Sequence, residues 1–163
     1  MSAQTTYQYN TPPGVAGGLL DIAPYSVDSR SNGEDSADAL RYGFGAMQGA
    51  TPGQDVLAPK PGDTAATFEG LVLTGFTKQM DMDGAARISP LDTVGILRYG
   101  KAWGRIVDGI DVAYGEKLYL VTSGDDAGKF TNTSTDSIAI SGRFISEASD
   151  GIASIELYNA PQA

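Results

Sequence analysis

The sequence contains no cysteine and no histidine among its 163 residues. Without them the chain has no thiol nucleophile, Ser–His–Asp triad, histidine general base or disulfide, and no zinc site of the usual ligand types. The chemistries left to an enzyme need paired carboxylates, lysine or tyrosine, or oxygen-ligated Mg²⁺ or Ca²⁺. Most common hydrolase mechanisms are therefore excluded.

Positive charge is also scarce, since 11 Lys and Arg face 20 Asp and Glu and the net charge is −9. A protein that binds nucleic acid needs clustered Lys and Arg to contact phosphates, and none cluster along this sequence. No apolar run is long enough to span a bilayer, and the first ten residues lack the basic start and apolar core of a signal peptide. We therefore expect no nucleic-acid or membrane partner, and synthesis in a cytoplasm.

Long helices are not expected, because the chain has 21 glycines, eight prolines and only 19% charged residues. Residues 92–125 show three short runs in which apolar residues alternate with small or polar ones, as in half-buried strands. Tyr99-Gly100-Lys101 and Asp108-Gly109 are the predicted turns between these runs. Similar runs at 39–48, 68–76, 137–146 and 151–158 bring the count to eight or nine strands. This pattern predicts an all-β fold, a small antiparallel β-barrel or sandwich-like domain.

The predicted core of this domain consists of the large apolar residues of those runs. They are Phe44, Leu71, Leu73, Ile96, Trp103, Ile106, Leu118, Leu120, Ile138, Ile140, Phe144, Ile152, Ile155 and Leu157.

Residues 1–38 differ from the rest and are predicted to form an extended N-terminal arm on an antiparallel β domain, 39–163. Pro12-Pro13 favours an extended path, and the segment carries more large apolar groups than a disordered linker does. Two interpretations remain open: the arm becomes ordered on a partner, or it wraps on its own domain. Ser29–Asp38 is polar and acidic and is predicted to be a surface loop. The long Pro-rich segment 49–67 is also predicted to be a loop.

Three short motifs resemble chemical sites, and each has a simpler explanation. Gly43-Phe44-Gly45 lacks the third glycine of a nucleotide-binding fingerprint. Asp81–Gly84 starts like a calcium loop, but the later ligands are missing, so a hairpin turn is predicted. Asp125 and Asp126 are adjacent on an exposed turn, where their side chains point apart. Candidate glycosidase carboxylates are Glu69, Asp92, Asp108 and Glu116. The sequence places no two of these at a working distance, so we predict no catalytic residue, cofactor or metal site.

Seven segments, spread in order over nearly the whole chain, together resemble the structural cement, or capsid decoration, proteins of tailed bacteriophages. They are YQYNTPPGVAGGLLDIAPYSVDSR, ALRYGFGAMQG, QMDMDG, VGILRYGKAWGRI, YGEKLYLVTSGDDAGKFTN, IAISGRFISEA and GIASIELYN. The resemblance implies a β protein without enzyme activity that binds the outside of the phage head and ties major capsid protein subunits together. It also implies a homo-oligomer, a trimer rather than a dimer, made in the host bacterial cytoplasm. An acidic chain suits an outer surface, away from packaged DNA.

The capsid contacts are expected on the arm, whose apolar side chains have no core of their own. The predicted capsid-binding residues are Tyr7, Tyr9, Pro12, Pro13, Leu19, Leu20, Ile22 and Tyr25. The alternative function is a carbohydrate- or receptor-binding β module on the virion surface. Exposed Trp and Tyr platforms would mark such a module. The sequence has a single tryptophan, Trp103, in a strand where burial is expected.

Overall fold

The computed structural model describes residues 14–75, 82 and 85–158, and this part of the chain is all-β, as predicted. Its strands are β1 (Ser26–Asn32), β2 (Gly45–Gln48), β3 (Asp55–Leu57), β4 (Phe68–Val72), β5 (Thr93–Arg105), β6 (Lys117–Val121), β7 (Phe130–Thr131), β8 (Ser137–Phe144) and β9 (Ile152–Leu157). A single 3₁₀ turn, Ala65–Thr67, precedes β4. No helix in these residues is long and apolar enough to cross a membrane.

Five strands close into a small barrel. They pair in the order β1-β3-β2-β4-β5, and β1 also pairs with β5, which joins the two ends of that order. The β1–β3 pairing is parallel, and the other pairings of the barrel are antiparallel. The predicted loop 49–67 was wrong in one respect, because it contains β3. Strand alternation places Ala46, Val72 and Ile96 in one core cluster, together with the buried Leu40, Val56, Ile88 and Val94.

The remaining strands extend the sheet beyond the barrel, in the order β5-β9-β8-β6-β7. Met47, Leu71 and Leu97 alternate with the barrel's interior residues and belong to a second core cluster with Leu118, Phe144, Ile155 and others of this extension. β2, β4 and β5 are therefore covered on both faces. Phe130, the first residue of β7, is also fully buried here.

Strand β5 is shared by the two halves. Thr93–Tyr99 pairs with β1, and Gly100–Arg105 pairs with β9 in unbroken register. The predicted turn at Tyr99-Gly100-Lys101 is therefore wrong. Gly100 has φ +125°, a conformation that glycine adopts without steric cost, and the strand passes through it from barrel to extension. Asp108-Gly109 is a turn, as predicted.

Strand β1 lies inside the segment that was predicted to be an arm and a polar loop. Ser29–Asn32 is strand, so the predicted loop is wrong over these residues. Asn32 is fully buried because its side-chain amide donates to the carbonyls of Ile88 and Ser89 at 3.0 and 3.2 Å. Its side-chain oxygen accepts the Glu34 backbone N–H at 3.0 Å. A polar residue can be buried when its hydrogen bonds are satisfied in this way.

Two other predicted strands are shorter than expected. Of residues 39–48 only Gly45–Gln48 is strand, and in the described part of the predicted strand 68–76, residues 68–75, the strand ends at Val72. The predicted hairpin turn at 81–84 lies outside the described residues, apart from Met82. Most of the predicted core is buried; Leu73, Trp103 and Ile138 are only half-buried.

Candidate binding surface

The segment before β1 also lies along β5. The Gly17 N–H donates to the Trp103 carbonyl at 2.7 Å, and the Trp103 N–H donates to the Gly18 carbonyl at 2.9 Å. The Leu20 N–H donates to the Lys101 carbonyl at 3.0 Å. Together with β1, this segment occupies one edge of β5, opposite the edge that pairs with β4 and β9. Residues 17–20 therefore lie on their own domain, which is one of the two interpretations that the sequence left open for the arm.

Residues 21–25 interrupt this pairing and loop out, and we call them the projecting loop. Leu20 pairs with Lys101 and Ser26 with Tyr99, so five residues stand opposite Gly100 alone. A side chain at Gly100 would collide with Tyr25, since its Cβ would lie 2.7 Å from the Tyr25 Cβ. Glycine at this position therefore leaves room for the loop to return over the strand.

The projecting loop is held at its base by Asp21. One carboxylate oxygen accepts the Ala23 N–H at 3.0 Å, and the other lies 3.4 Å from the Lys101 ammonium. Ile22, between these anchors, is 98% exposed. A large aliphatic side chain is therefore presented to solvent on a loop with fixed ends.

An apolar groove of about 620 Å³ lies beside the projecting loop. Its large side chains are those of Val15, Leu19, Tyr25, Val27, Leu73 and Trp103. Gly14 borders it, and a side chain there would collide with the Trp103 indole. We define the N-terminal apolar surface as this groove together with the projecting loop.

Exposed large apolar residues are concentrated on this surface. Ten occur in the described part of the chain, and five of them lie between residues 15 and 27: Val15, Leu19, Ile22, Tyr25 and Val27. Contiguous exposed apolar surface is typical of an interaction site, whereas isolated exposed apolar residues are ordinary. The geometry therefore indicates a binding surface.

The structure brings together part of the predicted site. Leu19 and Tyr25 line the groove, Ile22 lies on the projecting loop, and Leu20 is half-buried against β5. Tyr7, Tyr9, Pro12 and Pro13 lie outside the described residues.

Sequence reasoning missed Val15, Val27 and Trp103 as members of this surface. The signal for Trp103 was present, because strand alternation places it on the face opposite Ala102 and Gly104, which are both buried.

The candidate glycosidase carboxylates are each engaged by a different partner. Asp92 accepts the Ser89 N–H at 2.7 Å, and Glu69 lies 3.7 Å from the Arg30 guanidinium. The hydrogen bond from Lys129 lowers the pKa of Asp108, and that from Asn132 lowers the pKa of Glu116. A general acid needs a raised pKa, so both shifts run in the wrong direction. Within the described ranges no group of three or more acidic side chains is arranged to hold a metal ion.

Comparison with known proteins identifies a family and shows a similar fold among solved structures. Residues 3–158 match the family described as structural cement protein (E217 gp24/Pam3 gp6). A chain in the solved structure "The capsid of Myoviridae Phage XM1" has a similar fold, with a TM-score of 0.71 and 16% sequence identity. The likeness covers 96% of this chain and 98% of that one. No curated protein matches the sequence.

Proposed function

Since the chain belongs to the phage structural cement protein family, it is a capsid decoration protein, and we propose that its N-terminal apolar surface binds the major capsid protein. The family match spans almost the entire sequence, so the role belongs to the chain as a whole. We place the protein on the outer surface of a tailed-phage head, where it ties neighbouring subunits together without catalysis.

The observation that carries this proposal is the exposed Ile22 on a loop anchored at both ends. Burying an aliphatic side chain of this size stabilises a complex by about 1.5–3 kcal/mol relative to leaving the side chain in water. A partner that covers Ile22 would gain this free energy on binding. A loop already fixed by Asp21 and Lys101 loses little conformational entropy on binding. The groove beside it extends the contact to Val15, Leu19 and Val27.

Four further features belong to the proposal. In the functional sense residues 1–38 are the arm that carries the capsid contacts, and 39–163 is the domain that supports them. Tyr7, Tyr9, Pro12 and Pro13 extend the contact before Gly14. The protein acts as a homo-oligomer, a trimer rather than a dimer, so that weak contacts are repeated over symmetry copies. It is made in the cytoplasm of the host bacterium before it joins the head.

A carbohydrate- or receptor-binding module is the second candidate, and one observation favours it. Trp103 and Tyr25 line the same groove, and aromatic side chains are the usual platforms for sugar rings. A glycan array separates the two functions, since binding to glycans but not to heads would support only the second.

The test is cosedimentation with heads of the same phage that lack this protein. Wild-type protein should bind saturably at a fixed ratio to the major capsid protein. Ile22→Ser should raise Kd about 10- to 100-fold, because the buried aliphatic contact is lost. Leu91→Ser is the matched control, since Leu91 is 81% exposed and lies outside the N-terminal apolar surface.

Equal binding by Ile22→Ser and wild type would contradict the placement of the contact. In the same assay, a chain that lacks residues 1–13 measures what Tyr7, Tyr9, Pro12 and Pro13 add.

A further inference from the structure

A second cleft lies next to the N-terminal apolar surface. It has a volume of about 660 Å³, and Val15 and Thr74 line both it and the apolar groove. Four of the chain's 11 basic residues line this cleft, together with two carboxylates, Asp38 and Asp108. The four are Arg41, Arg87, Arg105 and Lys129, and we call the site the basic cleft. The side chains that line the cleft therefore carry a net positive charge, although the chain as a whole has a net charge of −9.

Two of the four cations are already paired within the chain. The Lys129 ammonium lies 2.9 Å from the Asp108 carboxylate and 2.8 Å from that of Asp126. These contacts raise the pKa of Lys129, chiefly through the hydrogen bond to Asp108. The Arg87 guanidinium lies 3.3 Å from the Asp38 carboxylate. Lys129 and Arg87 are therefore compensated.

Arg41 and Arg105 have no ion pair with another described residue, although the charge of Arg105 acts on Asp108 at longer range and contributes to its lowered pKa. Among the described residues neither has a carboxylate within 4.0 Å. The Arg41 Nε–H donates to the Asp38 carbonyl at 3.0 Å, and its guanidinium lies 5.8 Å from the centre of the Phe44 ring. Arg105 donates to the Asp150 carbonyl at 3.5 Å. Among the described residues, these hydrogen bonds use one N–H donor of each guanidinium, so both groups retain further donors for a partner.

The backbone fixes these two arginines close to each other in the fold. Arg105 is the last residue of β5, and its N–H donates to the Gly43 carbonyl at 2.8 Å. Gly43 ends the turn that carries Arg41, and its own N–H donates to the Val72 carbonyl at 2.8 Å. The turn and the strand end are therefore tied to the same sheet, and the two charges face a preformed cleft.

We propose that the basic cleft is a second docking site, in which Arg41 and Arg105 bind carboxylate side chains of the major capsid protein. This inference rests on the proposed function, because Val15 joins the cleft to the surface that meets the capsid. The planar guanidinium matches a carboxylate with two parallel hydrogen bonds, which makes an acidic side chain the fitting partner. The apolar surface supplies affinity, and the cleft fixes how the protein is oriented on the head.

The test compares wild type with the double variant Arg41→Gln/Arg105→Gln, using heads of the same phage that lack the protein. At about 50 mM NaCl the double variant should bind about tenfold more weakly, and at about 500 mM NaCl the ratio of the two Kd values should approach one. The ratio is the relevant quantity because the net charge of −9 affects both proteins.

The matched control is Lys60→Gln/Lys117→Gln, which removes the same charge from two exposed side chains outside the basic cleft. It should bind as wild type does at both salt concentrations. Both double variants should unfold within about 3 °C of wild type, as expected for surface substitutions. If the first double variant fails to fold, Arg105→Gln alone tests the site, since it leaves the Arg41–Phe44 contact intact.

Each outcome decides the proposal. If wild type binds and the Arg41/Arg105 variant binds equally well at both salt concentrations, the basic cleft is not a docking site and the cement function stands. An equal loss in the Lys60/Lys117 control would show an effect of net charge and would also overturn the site. Failure of wild type to bind heads would overturn the proposed function itself.

Discussion

The two edges of β5 differ in how the neighbouring chain pairs with them. On one edge β9 pairs with Gly100–Arg105 in unbroken register, and its apolar side chains are buried in the core. On the other edge the pairing is interrupted by the five residues of the projecting loop, and Ile22 is left in water. On the β9 edge the neighbouring strand is buried, whereas on the other edge part of the neighbouring chain leaves β5 and is exposed. We therefore expect substitutions at these two places to affect stability and the proposed capsid binding separately.

The largest expected effect is on the β9 edge. Ile155, opposite Ala102, is fully buried, so Ile155→Ala should lower the free energy of unfolding by about 2–5 kcal/mol. For a chain of this size that corresponds to a fall in Tm of about 5–15 °C. The folded protein should still bind heads with wild-type Kd at a temperature below its transition. Loss of binding by the folded variant would show that the two edges are not independent.

An intermediate effect is expected at Gly100, where β5 passes from the barrel to the extension. Gly100→Ala combines the strain of a positive φ, about 1–3 kcal/mol, with a collision against Tyr25. It should lower both Tm and head binding, because the projecting loop must move.

Gly115→Ala is the control for Gly100→Ala. Gly115 has φ +89°, and an added Cβ there meets nothing within 4 Å. It should lower Tm with unchanged binding. If the two variants bind heads equally, the loop does not depend on the space above Gly100.

The smallest effect is expected at the base of the projecting loop. Asp21→Ala removes the hydrogen bond to Ala23 and the ion pair with Lys101, both exposed. The Tm should fall by no more than about 2 °C, because surface ion pairs contribute little. Head binding should weaken about two- to fivefold, since the loop is no longer held in its bound form. A fall in Tm of more than about 2 °C with unchanged head binding would show that Asp21 serves stability and not the proposed capsid contact.

Part of the fold could be predicted because strand periodicity is local. The predicted runs at 137–146 and 151–158 contain the strands Ser137–Phe144 and Ile152–Leu157. Closure of the barrel could not be predicted, since it depends on pairing between β1 and β5, more than sixty residues apart. Strand β1, SVDSRSN, also lacks an apolar pattern, and its last residue is buried through hydrogen bonds instead. Tyr99-Gly100-Lys101 was predicted to be a turn because glycine is common in turns. The sequence does not show that Gly100 uses its positive φ inside a continuous strand instead.

Three residues of the N-terminal apolar surface were among the predicted capsid contacts, and that role stays a prediction. Leu19, Ile22 and Tyr25 were identified because large apolar residues stood among prolines and glycines. Val27 and Trp103 join them only through the edge pairing along β5. The basic cleft was invisible for the same reason: Arg41 and Arg105 are sixty-four residues apart in sequence and meet through the Arg105–Gly43 hydrogen bond.

The continuous run of β5 through Gly100 also matters mechanically. If the N-terminal apolar surface holds the capsid as proposed, tension on the head enters this chain at the projecting loop. The loop is flanked by residues 17–20, which are hydrogen-bonded to the extension part of β5, and by β1, which pairs with its barrel part. Because β5 is one continuous strand through Gly100, both parts of the sheet would then share the load.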